Sequence, residues 1–163
     1  MALRVGVGYD IHRTARGRRL VLGGEEIPFE RGLEGHSDAD VLLHALGDAL
    51  LGAAGLGDLG THFPPSDDRW RGADSVDLLG RIVGLVRAAG WRVVNADLTL
   101  LAEAPRLSPY RDRIRARIAG LLGVEAAAVG LKATTHEGLG AIGRGEGMAA
   151  LAVVLISAGA PES

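Results

Sequence analysis

The chain has 163 residues, of which 47% are apolar and 23% charged, and a formal net charge of −2. That length suits one domain, spanning 1–163, with a real core, and the charge gives no reason to expect nucleic acid, whose binders usually carry a basic stripe. There is no cysteine, which excludes disulfides and thiolate chemistry; any metal must be held by His, Asp or Glu, pointing to zinc or harder divalent ions.

Residues 3–12 alternate small and apolar positions and read as a strand, and Arg19 to Ile27, which contains Gly23-Gly24, reads as another. From Asp38 to Leu56 the apolar residues recur at helical spacing, with Ser37 and Asp40 as an acidic variant of the capping box and Gly55 and Gly57 as the stop. After Pro64-Pro65 a second helix is expected from about Ser75 to Ala89, ended by Gly90. Trp91 to Leu101 reads as a strand. The break at Pro105 to Pro109 precedes a third helix from Tyr110 to Leu122, with Ser108 as cap and Arg111 and Arg115 on a solvated face. Val129 to Thr135 and Gly147 to Ile156 are the last strands. This order predicts an α/β (α+β) fold, a mixed β-sheet with three main helices on one face. The last strand is apolar on both sides, so the opposite face needs cover from neighbouring subunits. The longest apolar run, the nine residues of Met148 to Ile156, falls far short of the roughly 20 that span a bilayer. Met1-Ala2-Leu3-Arg4 shows no signal region, so a cytoplasmic location is expected.

Three groups of residues could carry chemistry, and a fourth only looks as if it does. Asp10 and His12, two apart on a strand, leave the same face, and His44 on the first helix can lie over them. Together they make a three-ligand set with an open position. The alternative is a strand-end carboxylate paired with a histidine, with His44 satisfied by Asp40 or Asp48 a turn away. His36-Ser37-Asp38 sits at the mouth of that helix, where free N–H groups and the dipole suit an anion, or where Ser37 simply caps. Thr134-Thr135-His136-Glu137 follows a strand and offers two hydroxyls for phosphate and a carboxylate for Mg²⁺, or is an ordinary turn. Gly138 to Gly143 matches G-x-G-x-x-G but is followed by a strand instead of a helix, so dinucleotide binding is rejected. His62 and His136 receive no role.

Read together, Gly6-Val7-Gly8-Tyr9-Asp10-Ile11-His12, Gly35-His36-Ser37-Asp38-Ala39-Asp40-Val41-Leu42-Leu43-His44-Ala45 and Asp58-Leu59-Gly60-Thr61-His62-Phe63-Pro64 resemble blocks of one family. Ala102-Glu103-Ala104-Pro105-Arg106, Lys132 to Gly140 and Gly143-Arg144-Gly145-Glu146-Gly147 are similar to its remaining blocks, in order along the whole chain. The family is that of the 2-C-methyl-D-erythritol 2,4-cyclodiphosphate synthases.

The resemblance implies a homotrimer with sheets packed around a threefold axis and active sites between subunits. It implies that Asp10, His12 and His44 bind Zn²⁺ and that Glu137 places Mg²⁺ or Mn²⁺ on the substrate diphosphate. Ala102, Pro105, Arg106, Leu107, Ser108, Ala133, Thr134 and Thr135 would form the cytidine pocket. Asp58, Leu59, Gly60, Phe63 and Ser37 would contact substrate, and His36 and Thr135 would stabilise the transition state. Arg144 matches an arginine at a threefold-axis cavity able to hold an isoprenoid diphosphate, alongside Tyr9. Two departures stand out: Pro65 replaces a usual acidic residue, which removes a substrate contact, and Ala141 replaces a usual aromatic, which widens that cavity and weakens it as a ligand site. The implied reaction is cyclisation of 4-diphosphocytidyl-2-C-methyl-D-erythritol 2-phosphate with release of CMP, in non-mevalonate isoprenoid precursor synthesis. Two rivals use the same residues: a zinc-dependent phosphoester hydrolase, and a trimeric nucleotide-binding protein without turnover.

Overall fold

The computed structural model describes residues 1–159. In chain order the strands are β1 (Leu3–Arg16), β2 (Leu20–Leu22), β3 (Glu25–Ile27), β4 (Arg31–Leu33), β5 (Trp91–Leu101), β6 (Val129–Thr134) and β7 (Gly147–Ala158). The helices are α1 (Val41–Ala54), α2 (Leu59–His62), α3 (Ser75–Ala88), α4 (Arg111–Leu122) and α5 (Gly140–Gly143). Five strands form a mixed sheet in the order β4-β1-β7-β5-β6. β7 is antiparallel to both β1 and β5, while β5 and β6 run parallel around the α4 crossover. α1 packs on β1, β7 and β5, α3 on α1 and β5, and α4 on α3 and β6. Among the described residues no helix is long and apolar enough to cross a membrane.

The helix-bearing face of the sheet is built around an unusually close approach. Gly6, Gly8, Asp10 and His12 alternate onto that face of β1. A Cβ at Gly6 would lie 2.0 Å from the Ala49 carbonyl oxygen, and one at Gly8 would lie 1.9 Å from that of Ala45. The α1 backbone therefore rests directly on the β1 backbone, with Ala45, Ala49 and Ala53 fully or almost fully buried in the seam. Leu42, Leu46 and Leu50 fill the space over Leu98, Leu100, Ala150 and Ala152, none of which is measurably exposed.

The opposite face is open. Val5, Val7, Tyr9 and Ile11 of β1 alternate onto it, with Val7 directly opposite Val153 and Tyr9 opposite Leu151; all four are exposed apolar side chains, Val5 at 67% and Val7 at 63%. A contiguous apolar sheet surface of this kind marks a contact face.

Four local expectations change. Arg19 to Ile27 is a hairpin and not one strand: Gly23 and Gly24 both take positive φ, 63° and 78°, which two-residue hairpin turns require. Asp40, not Ser37, caps α1, accepting from Leu43 N at 3.1 Å and also from the turn amides Gly23 N and Gly24 N at 2.9 and 2.7 Å. Burial pushes this carboxyl up to about 6 against the pull of those three N–H donors. Ser108 does not cap α4; a turn closed by Tyr110 N donating to Leu107 O intervenes, and Tyr110 stands at the cap without a side-chain bond. Arg115 is not simply solvated: its guanidinium donates to Val129 O at 2.8 Å and Ala126 O at 3.0 Å, tying α4 to β6.

Gly8→Val tests the seam. With a side chain forced into the Ala45 carbonyl, α1 must lift, and the variant is expected to lose about 3 kcal/mol or more of unfolding free energy in denaturant titrations. Stability within about 0.5 kcal/mol of the parent, the usual range for an uninvolved site, would contradict direct backbone contact.

Candidate metal centre

The seam brings His44 down onto β1. Asp10 Oδ2 lies 2.8 Å from His12 Nε2 and 3.2 Å from His44 Nδ1, and the two imidazole nitrogens are 3.2 Å apart. Three donors bonded to a tetrahedral ion at ~2.0–2.1 Å stand about 3.3 Å from one another, so the triangle has the dimensions of one ion's ligand set.

The surrounding hydrogen bonds fix which atoms point inward. His12 Nδ1–H donates to Glu34 O at 2.7 Å, which leaves Nε2 as a lone pair. Ser75 O–H donates to Asp38 Oδ1, so its oxygen is free to accept from His44 Nε2–H at 2.9 Å, and Nδ1 is left bare. Asp38 Oδ2 accepts from Ser75 N at 3.0 Å and holds the start of α3 in place. Ser37 Oγ adds a further contact 3.2 Å from His44 Nε2. The result is three lone pairs facing one point, and Asp10 Oδ2 is a buried atom without a hydrogen bond. The residues fit a divalent cation on that ground. The same need for positive charge appears in the titration. Burial raises the Asp10 carboxyl, but His12 and His44 outweigh it and hold it below its ordinary value. Burial lowers His12, and Asp10 beside it reverses that and holds the imidazole above its ordinary value.

These three residues floor a cavity of about 260 Å³ whose lining includes His36, Ser37, Leu59, Gly60, Phe63 and Pro65. Asp58 is not on the lining; its carboxylate caps α2, accepting from Thr61 N at 2.9 Å and Thr61 Oγ1 at 2.8 Å. Asp67, Trp70, Arg71 and Leu78, which motif reading did not single out, also line it, as does Asp48, which spacing offered only as a partner for His44; the His44 ring bonds Ser75 and Ser37 instead. Neither Ser75 nor the Glu34 carbonyl could be recognised from spacing, because each meets its histidine across more than twenty residues of chain.

A second recess, about 270 Å³, is lined by all eight residues expected of a cytidine pocket: Ala102, Pro105, Arg106, Leu107, Ser108, Ala133, Thr134 and Thr135, with Glu103 and Arg111 in addition. It lies at the same level of the sheet as the metal site: Asp10 pairs with Ala150, Ala150 with Leu100, and Leu100 with Ala133. Three strand spacings separate them, roughly 14 Å. His36 and Thr135 therefore do not meet within one chain; each lines a different recess. Glu137 lines neither; it is exposed on the turn after β6 with φ 53°, its N–H donating to Thr135 Oγ1 at 3.2 Å. Arg144 borders a third recess and is paired with Glu146 at 2.8 Å. His62 is held by its ring nitrogen 2.7 Å from Leu56 O. Gly140–Gly143 forms a single turn running into β7, in keeping with rejection of a dinucleotide fold.

A two-histidine, one-carboxylate cluster seated between a strand and a helix of an α/β fold defines a candidate metal site. A sequence profile described as the YgbB family matches residues 3–157. The 2-C-methyl-D-erythritol 2,4-cyclodiphosphate synthase of Symbiobacterium thermophilum is 62% identical over 153 residues, 94% of this chain and 98% of that protein. A solved 2C-methyl-D-erythritol-2,4-cyclodiphosphate synthase in its CDP-bound form is 41% identical, with TM-score 0.88 over 94% of this chain and all of that one. IspF of Plasmodium falciparum in complex with CDP is 30% identical, with TM-score 0.86 over 98% of each chain. The chain belongs to the YgbB family.

Ser75→Ala removes the acceptor that orients His44. Loss of such a partner typically weakens metal binding about 10- to 100-fold, and that is the drop expected in chelator competition for zinc. An unchanged affinity would show that Ser37 alone suffices to orient the ring.

Proposed function

We propose that this chain is a 2-C-methyl-D-erythritol 2,4-cyclodiphosphate synthase. It converts 4-diphosphocytidyl-2-C-methyl-D-erythritol 2-phosphate to the cyclic diphosphate with release of CMP, as a single-domain cytoplasmic enzyme of isoprenoid precursor synthesis. The observation that carries this reading is the inward-facing triangle of Asp10, His12 and His44 at the floor of the cavity, in a chain 62% identical to a protein of that name. The CDP-bound relatives support assigning the recess of Ala102, Pro105, Arg106, Leu107, Ser108, Ala133, Thr134 and Thr135 to the cytidine end.

In the reaction an oxygen of the 2-phosphate bonds to the β-phosphorus while the bond from that phosphorus to the CMP oxygen breaks. Such transfers depend on positioning and charge neutralisation more than on covalent help. Asp10, His12 and His44 would hold Zn²⁺, which would supply Lewis acidity and a template, and Glu137 would suit Mg²⁺ or Mn²⁺ on the diphosphate. Leu59, Gly60 and Phe63 enclose the methylerythritol, and Asp58 at the rim receives hydroxyl groups. His36 and Ser37 face the phosphates from one side and Thr134 and Thr135 from the other. Holding both reacting groups in one folded conformer can supply on the order of 7–11 kcal/mol of the barrier.

One chain holds these two halves roughly 14 Å apart across its own sheet, and its apolar outer face is uncovered. A homotrimer with the open faces packed around a threefold axis covers that surface and sets the metal half of one subunit against the cytidine half of the next. At the axis Arg144 is the residue suited to an isoprenoid diphosphate, with Ala141 leaving the cavity wide.

The purified protein, given the cytidyl substrate with Zn²⁺ and Mg²⁺, is expected to release CMP and yield a cyclic diphosphate by phosphorus NMR, and His44→Ala to lose both zinc and turnover. An acyclic product would instead support a phosphoester hydrolase, and tight nucleotide binding without CMP release a non-catalytic binding protein.

A further inference from the structure

Three carboxylates line the metal cavity: Asp10 faces the metal point, Asp67 is paired with Arg69, and Asp48 does neither. Asp48 lies one turn after His44 on α1, so the two side chains leave the same face of the helix. It stands beside Leu59 and Gly60 on the cavity wall but outside the ligand cluster of Asp10, His12 and His44. Its Oδ1 accepts from Leu59 N at 2.8 Å, which ties the start of α2 to the helix that carries His44. Its Oδ2 accepts nothing from the protein. Nor is that oxygen sealed off, because among the described residues the buried side-chain atoms without a partner belong to Asp10, Trp70 and Arg111. Burial raises the Asp48 carboxyl above its ordinary value against the pull of the Leu59 N–H, and Asp58 and Asp10 add to the rise. Asp48 is thus an acceptor with one oxygen open to the cavity and a donor still to find.

The substrate of the proposed reaction offers two such donors. Oxygens 2 and 4 of its four-carbon polyol carry the phosphate and the diphosphate, which leaves free hydroxyls on C1 and C3. A carboxylate repels a phosphate, whereas a hydroxyl donates to it in a charge-assisted bond. C3 lies between the two phosphate-bearing carbons and inside the ring that forms, so its hydroxyl stays with the reacting groups over the metal. C1 lies outside that ring and can reach the rim, where Asp58 stands with its Oδ1 already taken by Thr61 N and Thr61 Oγ1. The inner carboxylate therefore suits the C3 hydroxyl and the outer one the C1 hydroxyl.

We infer that Asp48 is a specificity-determining residue of the metal cavity, its Oδ2 accepting from the C3 hydroxyl of the substrate while its Oδ1 holds the Leu59 backbone at the same wall. The inference rests on the proposed function. It gives the cavity a polarity: the metal draws the phosphates, and Asp48 turns them away and takes the hydroxyl, which fixes how the polyol enters.

Steady-state kinetics of the zinc-loaded protein with Mg²⁺ test it, using the substrate and its 3-deoxy and 1-deoxy analogues. The unmodified protein is expected to lose about tenfold or more in kcat/KM when the C3 hydroxyl is absent, since a site built around a hydroxyl is left with an unpaired acceptor. Asp48→Asn keeps an acceptor for Leu59 N and removes the charge. It should lose about as much with the full substrate, and the 3-deoxy analogue should then cost it little more, within about threefold. The penalty for the 1-deoxy analogue should be the same in both proteins, with zinc content and melting temperature unaltered. A purely structural role would lower kcat/KM for every substrate by one factor and leave the 3-deoxy penalty intact, and that result overturns the inference. So does a 3-deoxy analogue that the unmodified protein turns over as well as the substrate, a result that needs no variant. If the unmodified protein releases no CMP from the full substrate, the proposed function falls, and this inference with it.

Discussion

The contact on which the site depends is the one between two backbones. Gly6 and Gly8 leave no side chain between β1 and α1, so the Ala45 and Ala49 carbonyls take the space a Cβ would fill. That approach lets His44, next to Ala45 on the helix, reach Asp10 and His12 two and four residues beyond Gly8 on the same strand face. A methyl group in the seam would lift the helix by more than the tolerance of a metal site, which is a few tenths of an ångström. The close packing and the ligand triangle are thus one feature, and Asp40 secures it from the other side by tying the β2–β3 turn to the first turn of α1.

The second constraint is the width of the sheet. With β7 and β5 lying between β1 and β6, the metal donors and the threonine-bearing strand end open at opposite edges of one level. A substrate with a phosphate to be activated and a nucleotide to be expelled needs both at once. On the proposed reading, copies of the chain would cover the exposed apolar stripe running through Val5, Val7 and Tyr9, and a cyclic arrangement of identical heterologous contacts would return a complete site at every junction. On this account oligomerisation serves chemistry as directly as it serves burial.

Much of the fold was legible in the sequence because its signals are local. Alternation of small and apolar positions marked β1, a continuous apolar run marked β7, helical spacing marked α1, and Gly55 and Gly90 marked the ends of α1 and α3. Two of the misreadings have one cause, which is that a side chain's partner lay far off in sequence. Asp40 was recognised as part of a cap, and Leu43 N makes it the cap itself, but the two turn amides it also holds sit 16 and 17 residues earlier. Arg115 looked solvated because the carbonyls it binds belong to the segment after its own helix. Gly23-Gly24 was absorbed into an apolar run when its paired positive φ values divide that run in two. For the site, spacing alone left Asp10, His12 and His44 open between a metal and an ion pair; the histidine tautomers set by Glu34 and Ser75 favour the metal. The eight residues of the second recess come from two segments; only Thr134 and Thr135 stood out from the residues themselves, and the resemblance to a family grouped the rest with them.

The central claim is that each working site joins the metal half of one chain to the nucleotide half of another, and mixed assembly tests it most directly. Two inactive variants, His12→Ala for the metal half and Ala133→Trp for the nucleotide half, are unfolded, mixed in equal amounts and refolded together. Each site of a randomly assembled ring has an even chance of drawing each half intact, so roughly a quarter of the parent activity should return, while either variant refolded alone stays inactive. Mixed oligomers that form and remain as inactive as their parents would contradict the account and put each active site within a single chain.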